Sequence, residues 1–308
     1  MRIVRCPTRV SLWGGGCDHP SYYSHHGATI ISFAIDEYMH VIWNPRPTGG
    51  CRLSWSVVEE VSSLTNVQHT LVRACAERYG FQEPCTLSII SDVPKGTGLG
   101  SSSALAVCLC KLLNVHWIVP SAMYLEQEVS PNVGLQDSLP ADYGGFRIYR
   151  IAEYGLLPPV QDSQCVPQNA VDIINTHGML LYTGATREAN PILGNWRDNT
   201  ETLHRIRELA ERMAACVDEW TPRTLGDALI EGWNLKRSIE GVSNDALDLQ
   251  YAKMMAAGAY GGKLCGAGAG GAWFLLVPPS KRQDVLEASE MIEIPFKVAE
   301  HGVEEWSL

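Results

Sequence analysis

The stretch between Pro94 and Ser103 has the residue types of a loop that binds phosphate. In order, its residues are Pro94, Lys95, Gly96, Thr97, Gly98, Leu99, Gly100, Ser101, Ser102 and Ser103. The first N–H groups of a helix have no internal partner and carry the positive end of its dipole, so they attract phosphate. Because an apolar helix is expected to follow, the serines are predicted to cap it and to offer hydroxyls to phosphate or Mg²⁺.

Two further glycine tracts lie at residues 14–16 and 258–271. Glycine tolerates positive φ and lets a backbone approach a ligand closely, so three tracts favour three loops that converge on one site. Three unrelated tight turns are the alternative. Gly-x-Gly-x-x-Gly occurs at residues 266–271, but a strand is expected after it instead of before it, which argues against an NAD-dependent dehydrogenase. The central loop also lacks the Walker A spacing.

The composition is that of a folded chain with an acidic surface. Of 308 residues, 45% are hydrophobic and 19% are charged, which is typical of globular proteins. The 24 basic and 34 acidic residues give a formal net charge of −10. This charge disfavours nucleic acid as a partner, although a local nest of backbone N–H groups can still hold a small anion.

Several features predict a cytoplasmic protein with no membrane partner. No apolar run approaches the ~18–20 residues that span a bilayer, and the first residues lack the apolar region of a signal peptide. The ten cysteines show no Cys-x-x-Cys spacing, so reduced thiols are expected. Cys17 lies near His19, His25 and His26, but their irregular spacing argues against a zinc site.

Periodicity predicts a mixture of helices and strands without a regular βαβ alternation. Strands are expected at residues 3–12, 86–91, 145–151, 179–182, 272–277 and 292–298, with a hairpin at 28–43 that turns at Asp36 and Glu37. Helices are expected at residues 65–79, 101–113, 202–220 and 224–238. Pro295 places the last strand at a sheet edge. We interpret residues 155–169 as a connection, so two domains are predicted, 1–165 and 166–308, in an α+β fold.

Three motifs together resemble those of the GHMP small-molecule kinases, a family that includes galactokinase, homoserine, mevalonate and phosphomevalonate kinases. The central loop reads Pro-x-x-x-Gly-Leu-Gly-Ser-Ser at residues 94–102. Residues 5–18 resemble the family's first motif in the form typical of D-glycero-D-manno-heptose 7-phosphate kinases, and residues 262–268 resemble its third motif. Shorter matches to the heptose kinase branch occur at 133–137, 143–145, 182–184 and 233–236. Cys17, Ser138 and Ala269 depart from that branch, which usually has Thr, Gln and Gly there.

The resemblance implies an α+β fold of two domains with ATP and Mg²⁺ bound between them. The N-terminal domain would be ribosomal protein S5 domain 2-like and the C-terminal domain ferredoxin-like. Residues 95–103 would hold the nucleotide phosphates. Ser102 and Glu126 would hold Mg²⁺, a cation that prefers oxygen ligands. The alternative for Glu126 is a solvated helix face.

The resemblance also assigns two catalytic residues. Asp137 would accept the proton of the attacking sugar hydroxyl, whereas an aspartate in a turn, taken without the family, more often forms an Asx turn. Arg9 would stabilise Asp137 as the anion and neutralise charge on the transferring phosphoryl group. The alternative for Arg9 is a surface charge at a strand edge.

The remaining expected site residues surround the acceptor or close the nucleotide site. Asp18 would bind a sugar hydroxyl, Thr183 would close the pocket, and Arg187 would contact a distal phosphate. The full set is Gly14, Gly15, Gly16, Asp18, Thr183, Gly184 and Arg187 for the substrate, and Gly266, Ala267 and Gly268 in the third-motif loop.

The activity implied is phosphorylation of a sugar, at the anomeric hydroxyl of D-glycero-D-manno-heptose 7-phosphate. The alternatives are a kinase for another sugar, such as fucose, galactose or a uronic acid, and a relative that binds its ligand without turnover. The expected partner is a small-molecule sugar or sugar phosphate, and the expected assembly is a monomer or a homodimer.

Overall fold

The computed structural model describes all residues except 82–83, 154–159, 185–193 and 197–198. Helices described over their whole length are α1 Pro20–His26, α2 Thr70–Tyr79, α3 Ser101–Leu112, α4 Ile118–Gln127, α5 Ser138–Tyr143, α6 Gln168–His177, α7 Thr200–Ala215, α8 Pro222–Arg237, α9 Asp245–Ala256 and α10 Arg282–Ser289. The strands are β1 Arg2–Trp13, β2 Ala28–Pro45, β3 Cys51–Ser54, β4 Val58–Val61, β5 Cys85–Ser91, β6 Phe146–Ile151, β7 Val160–Cys165, β8 Gly178–Tyr182, β9 Gly261–Leu264, β10 Ala272–Leu276, β11 Ile292–Ile294 and β12 Glu304–Ser307. The predicted α+β class is confirmed.

The larger sheet is built around β1 and β2. Its strands follow the order β12-β1-β2-β5-β3-β4, and β6 pairs with both β2 and β7. The last strand therefore returns to the first, with Arg2 opposite Ser307. Along one side of β2, its first half pairs with β6 and its second half with β5.

The predicted hairpin at residues 28–43 is wrong, because β2 runs unbroken from Ala28 to Pro45. Pro7 of β1 pairs with Tyr38 and Thr8 pairs with Ile35, so Asp36 and Glu37 lie in an irregularity between two registers. Such extra residues bend a strand without reversing it. The polar pair that indicates a turn in the sequence instead marks a bulge.

The smaller sheet has four antiparallel strands in the order β11-β8-β10-β9. The strand expected at residues 292–298 is shorter and ends at Ile294, before Pro295. Its predicted position at the sheet edge is confirmed. Residues 155–169 were expected to be a connection only, but β7 and the start of α6 lie within them. The helix expected at 65–79 is a short 3₁₀ turn at Leu64–Asn66 followed by α2.

The two sheets share one hydrophobic core. Phe33 of β2 contacts Phe274 of β10, with ring centroids 5.5 Å apart, and α7 and α8 pack beside them. A second core lies between the outer half of the larger sheet and α2, α3 and α4. Nine of the twelve residues of α3 are buried, as expected of a helix that is apolar on all sides. This packing holds the start of α3 in place.

Among the residues described, no helix has the length and apolar character needed to cross a bilayer.

Candidate active site: three glycine loops around Arg9

The central glycine loop turns through three residues in the left-handed conformation. Gly96, Gly98 and Gly100 have φ angles of 81°, 74° and 78°. Gly100 is the N-cap of α3, so the prediction that serine caps this helix is wrong. Because the N-cap residue is a glycine, it has no side chain to cap the first N–H groups of α3. These N–H groups can receive an anion, and the helix dipole favours negative charge there.

The central loop and the third tract are in direct backbone contact. A Cβ on Gly98 would lie 2.7 Å from the carbonyl oxygen of Cys265, and one on Gly266 would lie 2.7 Å from Cα of Gly98. The N–H of Ala272 donates to the carbonyl of Thr97 at 2.8 Å. The first tract and the third tract line a common cavity. The predicted convergence of three loops is confirmed.

Arg9 and Asp137 form an ion pair beneath the central loop. Only 2% of the Arg9 side chain is exposed, against 22% for Asp137. Nε and Nη2 of Arg9 lie 2.8 and 2.5 Å from Oδ1 of Asp137, and Nη1 donates to the carbonyl of Gly98 at 2.6 Å. Asp137 makes no side-chain capping bond at the start of α5. The alternatives of a surface arginine and an Asx-turn aspartate are therefore excluded.

Glu126 lies on α4, with 3% of its surface exposed, so the solvated-face alternative is wrong. The hydroxyl of Ser103 donates to its Oε2, and Ser102 also hydrogen-bonds to this carboxylate. Burial raises the pKa of Glu126 to about 7, and nearby Asp137 adds to this, while both serines and Arg9 act in the opposite direction. A buried carboxylate beside an exposed serine hydroxyl suits a hard divalent cation.

Protonation of Glu126 gives a testable dependence of stability on pH. Its pKa is about 7 in the folded protein and near 4.5 in the unfolded chain, so between those values the folded state binds more protons. We expect the metal-free protein to lose a few degrees of Tm as the pH rises from 5 to 7.5. Glu126→Gln should reduce that slope in thermal melts, and Glu128→Gln, at the exposed partner of Arg78, should not. Equal slopes in both variants would contradict the assignment.

Asp18 is buried and ties the first glycine tract to the turn that carries Asp137. Its Oδ1 accepts the N–H of Gly16 at 2.8 Å and its Oδ2 accepts the N–H of Gln136 at 2.9 Å. Burial raises the pKa of Asp18 to about 6, the bond from Gln136 opposes this, and Asp137 adds to it. Contact between this carboxylate and a sugar hydroxyl stays a prediction.

The other expected substrate residues lie in different surroundings. Thr183 exchanges hydrogen bonds with Gly271: its hydroxyl donates to the Gly271 carbonyl at 2.8 Å and accepts the Gly271 N–H at 3.2 Å. Thr183 thus lies beside the end of the third tract. Gly184 has φ of 73°, and no atom of the described residues lies within 4 Å of a Cβ placed on it. Arg187 lies outside the described residues, and Lys95 is exposed.

Two buried lysines near the first tract were not predicted as site residues. Nζ of Lys236 donates to the carbonyls of Leu264 and Gly266 at 2.7 and 2.5 Å, and Nζ of Lys263 donates to the carbonyl of Leu12 at 2.8 Å. The sequence signal that could have identified them is a lysine among apolar residues, because lysine is almost never fully buried unless it is paired.

The alternative of a zinc site has no support in the described part of the chain, where no cluster of three metal-binding side chains occurs.

Two family models match the chain. Residues 66–145 match the GHMP kinases N terminal domain, and residues 203–290 match GHMP kinases C terminal. These two segments cover more than half of the chain, and they contain both Glu126 and Asp137.

Individual relatives resemble the chain over its whole length. The D-glycero-alpha-D-manno-heptose 7-phosphate kinase of Campylobacter jejuni is 28% identical over all of both chains. The crystal structure of a D-glycero-D-manno-heptose 1-phosphate kinase from Bacteriodes thetaiotaomicron superposes with a TM-score of 0.79 at 20% identity, covering 100% of this chain and 99% of that one. Lactococcus lactis galactokinase superposes with a TM-score of 0.76 at 16% identity, covering 100% and 95%.

The same family is indicated by the two family models, by a full-length relative and by the shared fold, and the three converging glycine loops are consistent with it. The chain belongs to the GHMP kinases and is an ATP-dependent phosphotransferase.

Proposed function

We propose that this protein transfers the γ-phosphoryl group of ATP to the anomeric hydroxyl of D-glycero-D-manno-heptose 7-phosphate, with Mg²⁺ as cofactor. The observation that carries the proposal is the Arg9–Asp137 pair directly under the central glycine loop. A full-length relative that is a heptose 7-phosphate kinase supports the choice of acceptor.

We also propose that the chain divides into domains 1–165 and 166–308, with β12 returning to the larger sheet.

The central loop binds the nucleotide phosphates in this proposal. Phosphoryl transfer has a loose transition state, so the protein contributes mainly positioning and charge neutralisation. The N–H groups at the start of α3, which follow the N-cap Gly100, supply donors for phosphate. The exposed hydroxyl of Ser102 lies beside them and also faces the Glu126 carboxylate. Thr97 supports phosphate binding by this loop, because its buried hydroxyl has no hydrogen-bond partner among the described residues.

Mg²⁺ fits the donor set of Glu126 and Ser102. The carboxylate is buried, and its hydrogen-bond donors within the described part of the chain are the hydroxyls of Ser102 and Ser103. A cation would therefore offset the cost of burying its charge. When bound there, Mg²⁺ would neutralise phosphate charge. Ser103 is buried and orients the carboxylate.

Asp137 takes the proton of the acceptor hydroxyl. Both contacts from Arg9 reach Oδ1, so Oδ2 is the oxygen that we assign to the hydroxyl. General base catalysis by such a group typically contributes about 10²–10⁴-fold to rate. The guanidinium of Arg9 holds the carboxylate in place and adds positive charge beneath the loop. This pair also argues against a relative that binds its ligand without turnover, since binding alone needs no base.

The acceptor can be identified with a screen of ADP release over free and phosphorylated hexoses and heptoses, followed by NMR assignment of the phosphorylated carbon. Turnover is expected with heptose 7-phosphate and phosphorylation at carbon 1. Faster turnover with fucose, galactose or a uronic acid would favour another sugar kinase. ATP binding without turnover on any acceptor would favour the ligand-binding relative.

Removing the hydroxyl of Ser102 should raise the requirement for Mg²⁺. We expect Ser102→Ala to increase the Mg²⁺ concentration at half-maximal rate by about tenfold, because the change removes one of the oxygen ligands proposed for the ion. The measurement is initial rate against free Mg²⁺ at saturating ATP. Ser121→Ala on α4 serves as the control, since this hydroxyl donates to the carbonyl of His116. Unchanged kinetics of Ser102→Ala at limiting Mg²⁺ would contradict the metal assignment.

A further inference from the structure

A small cavity lies between the first glycine tract and the third-motif loop. It is lined by residues 14–16, by Gln136 and by Gly266 and Ala267, among others. Its volume is about 40 Å³, which holds roughly three water molecules. That is the scale of one compact substituent and much less than a whole sugar. Gln136 precedes Asp137 in the chain, so the cavity adjoins the turn that carries the proposed base.

The cavity lining is rich in hydrogen-bond donors. Lys236 and Lys263 line it, and only 9% of Lys263 is exposed. Ser11 and Trp196 also line it, and the Ser11 hydroxyl and the Trp196 indole N–H are buried with no hydrogen-bond partner among the residues described. A buried polar group without a partner costs free energy, so such groups in a folded protein call for an explanation. Since both residues line the cavity, a ligand rich in acceptor oxygens is the kind of partner that these two donors lack.

The charge in the lining points to an anion. Nζ of Lys263 donates to a neutral backbone carbonyl, that of Leu12. Burial lowers the pKa of Lys263 to about 8, Cys265 opposes this, and Arg9 lowers the pKa further. No described carboxylate contributes to this shift. Burying an ammonium group without an anionic partner is costly, and a phosphate in the cavity would offset that cost.

We infer that this cavity binds the phosphate group already present on the acceptor sugar, with Lys263, Lys236, Ser11 and Trp196 as its donors. The inference rests on the proposed function, because it names the group that separates a sugar phosphate from a free sugar. It assigns to these residues the distal phosphate contact that the sequence analysis gave to Arg187. A phosphate of ATP offers the same chemistry to these donors, and the experiment distinguishes the two sources.

The test replaces Lys263 with Met, which is unbranched, of similar length and uncharged. We expect Lys263→Met to raise KM for heptose 7-phosphate by about 10- to 100-fold, as for loss of a hydrogen bond to a charged group. KM for ATP and kcat/KM for the unphosphorylated heptose should stay within twofold. Lys253→Met, at an exposed lysine of α9, is the matched control. If Lys263→Met does not fold in thermal melts, Lys236→Met takes its place with the same expected pattern.

Equal losses with both heptoses would overturn the inference, since they indicate a structural role. A rise in KM for ATP alone would overturn it as well, because the lysine would then serve the nucleotide. If the unchanged enzyme turns over neither heptose, the proposed acceptor is wrong, and calorimetry then tests the cavity separately. Inorganic phosphate is titrated with the central loop filled by a non-hydrolysable ATP analogue. At least tenfold weaker phosphate binding by Lys263→Met supports the cavity as a phosphate site, and equal affinity overturns it.

Discussion

Asp137→Asn is expected to lower kcat by about 10³-fold while ATP affinity stays within a few fold. An amide cannot accept the proton of the acceptor hydroxyl, and general base catalysis typically contributes between about 10² and 10⁴ in rate. Asn keeps an oxygen for the guanidinium of Arg9, so the loop above should stay in place. Single-turnover kinetics with saturating ATP and acceptor would measure the chemical step, and calorimetry with an ATP analogue would measure binding.

The control for this substitution is Asp142→Asn. Asp142 lies on the same short helix, and burial raises its pKa to about 6, so the change tests damage to α5 without touching the Arg9 pair. Its kcat should stay within a few fold of the original. A kcat for Asp137→Asn close to that of the unchanged enzyme would remove Asp137 from the proposed role.

Arg9→Met is expected to affect both stability and rate. The change removes contacts to Asp137 and to the carbonyl of Gly98, and it leaves a carboxylate without its cation. Breaking a buried ion pair costs about 3–5 kcal/mol. Because Asp137 is 22% exposed, we expect a loss at the lower end, about 3 kcal/mol in the free energy of unfolding. Loss of positive charge beneath the loop should also lower kcat by about 10²-fold.

Urea unfolding and steady-state kinetics measure the two effects of Arg9→Met. Arg5→Met is the matched control, since Arg5 lies on the same strand but forms a far more exposed pair with Glu304, with 33% and 31% of the two side chains exposed. Exposed pairs contribute about 0–1 kcal/mol, so its rate and stability should change little. The proposed role of Arg9 would be contradicted if both variants lost stability equally and neither lost rate. Arg9→Lys should recover only part of the rate, because one ammonium cannot reproduce a fork of three contacts.

The links between the loops explain why the nucleotide site depends on both halves of the chain. The backbone of Gly98 lies against Cys265 and Gly266, and Thr97 accepts a hydrogen bond from Ala272 at the start of β10. A side chain at Gly98 would collide with backbone and would require positive φ, so this contact depends on glycine. The central strand of the smaller sheet therefore supports the phosphate loop directly.

The sequence determined those features that depend on neighbouring residues. The glycine loop, the buried helix after it and the amphipathic α7 follow from local composition and periodicity, and all are present. The family resemblance also identified Arg9, Asp137 and Glu126 as candidates. The predicted hairpin at residues 28–43 was wrong because the local residue pattern there is ambiguous. Asp36 and Glu37 break the apolar run as a turn would, but bulge and turn residues have similar composition.

Only the tertiary structure decided which alternatives hold for the candidate residues. Arg9 and Asp137 are 128 residues apart in the chain, and burial of Glu126 depends on how α4 packs against α3. In the sequence, Lys263 is one of seven lysines, and only the fold places β9 beside Leu12, 251 residues away. The physical reason is that helix and turn formation depend on contacts within a few residues, whereas burial, ion pairing and cavities depend on residues brought together by the folded chain.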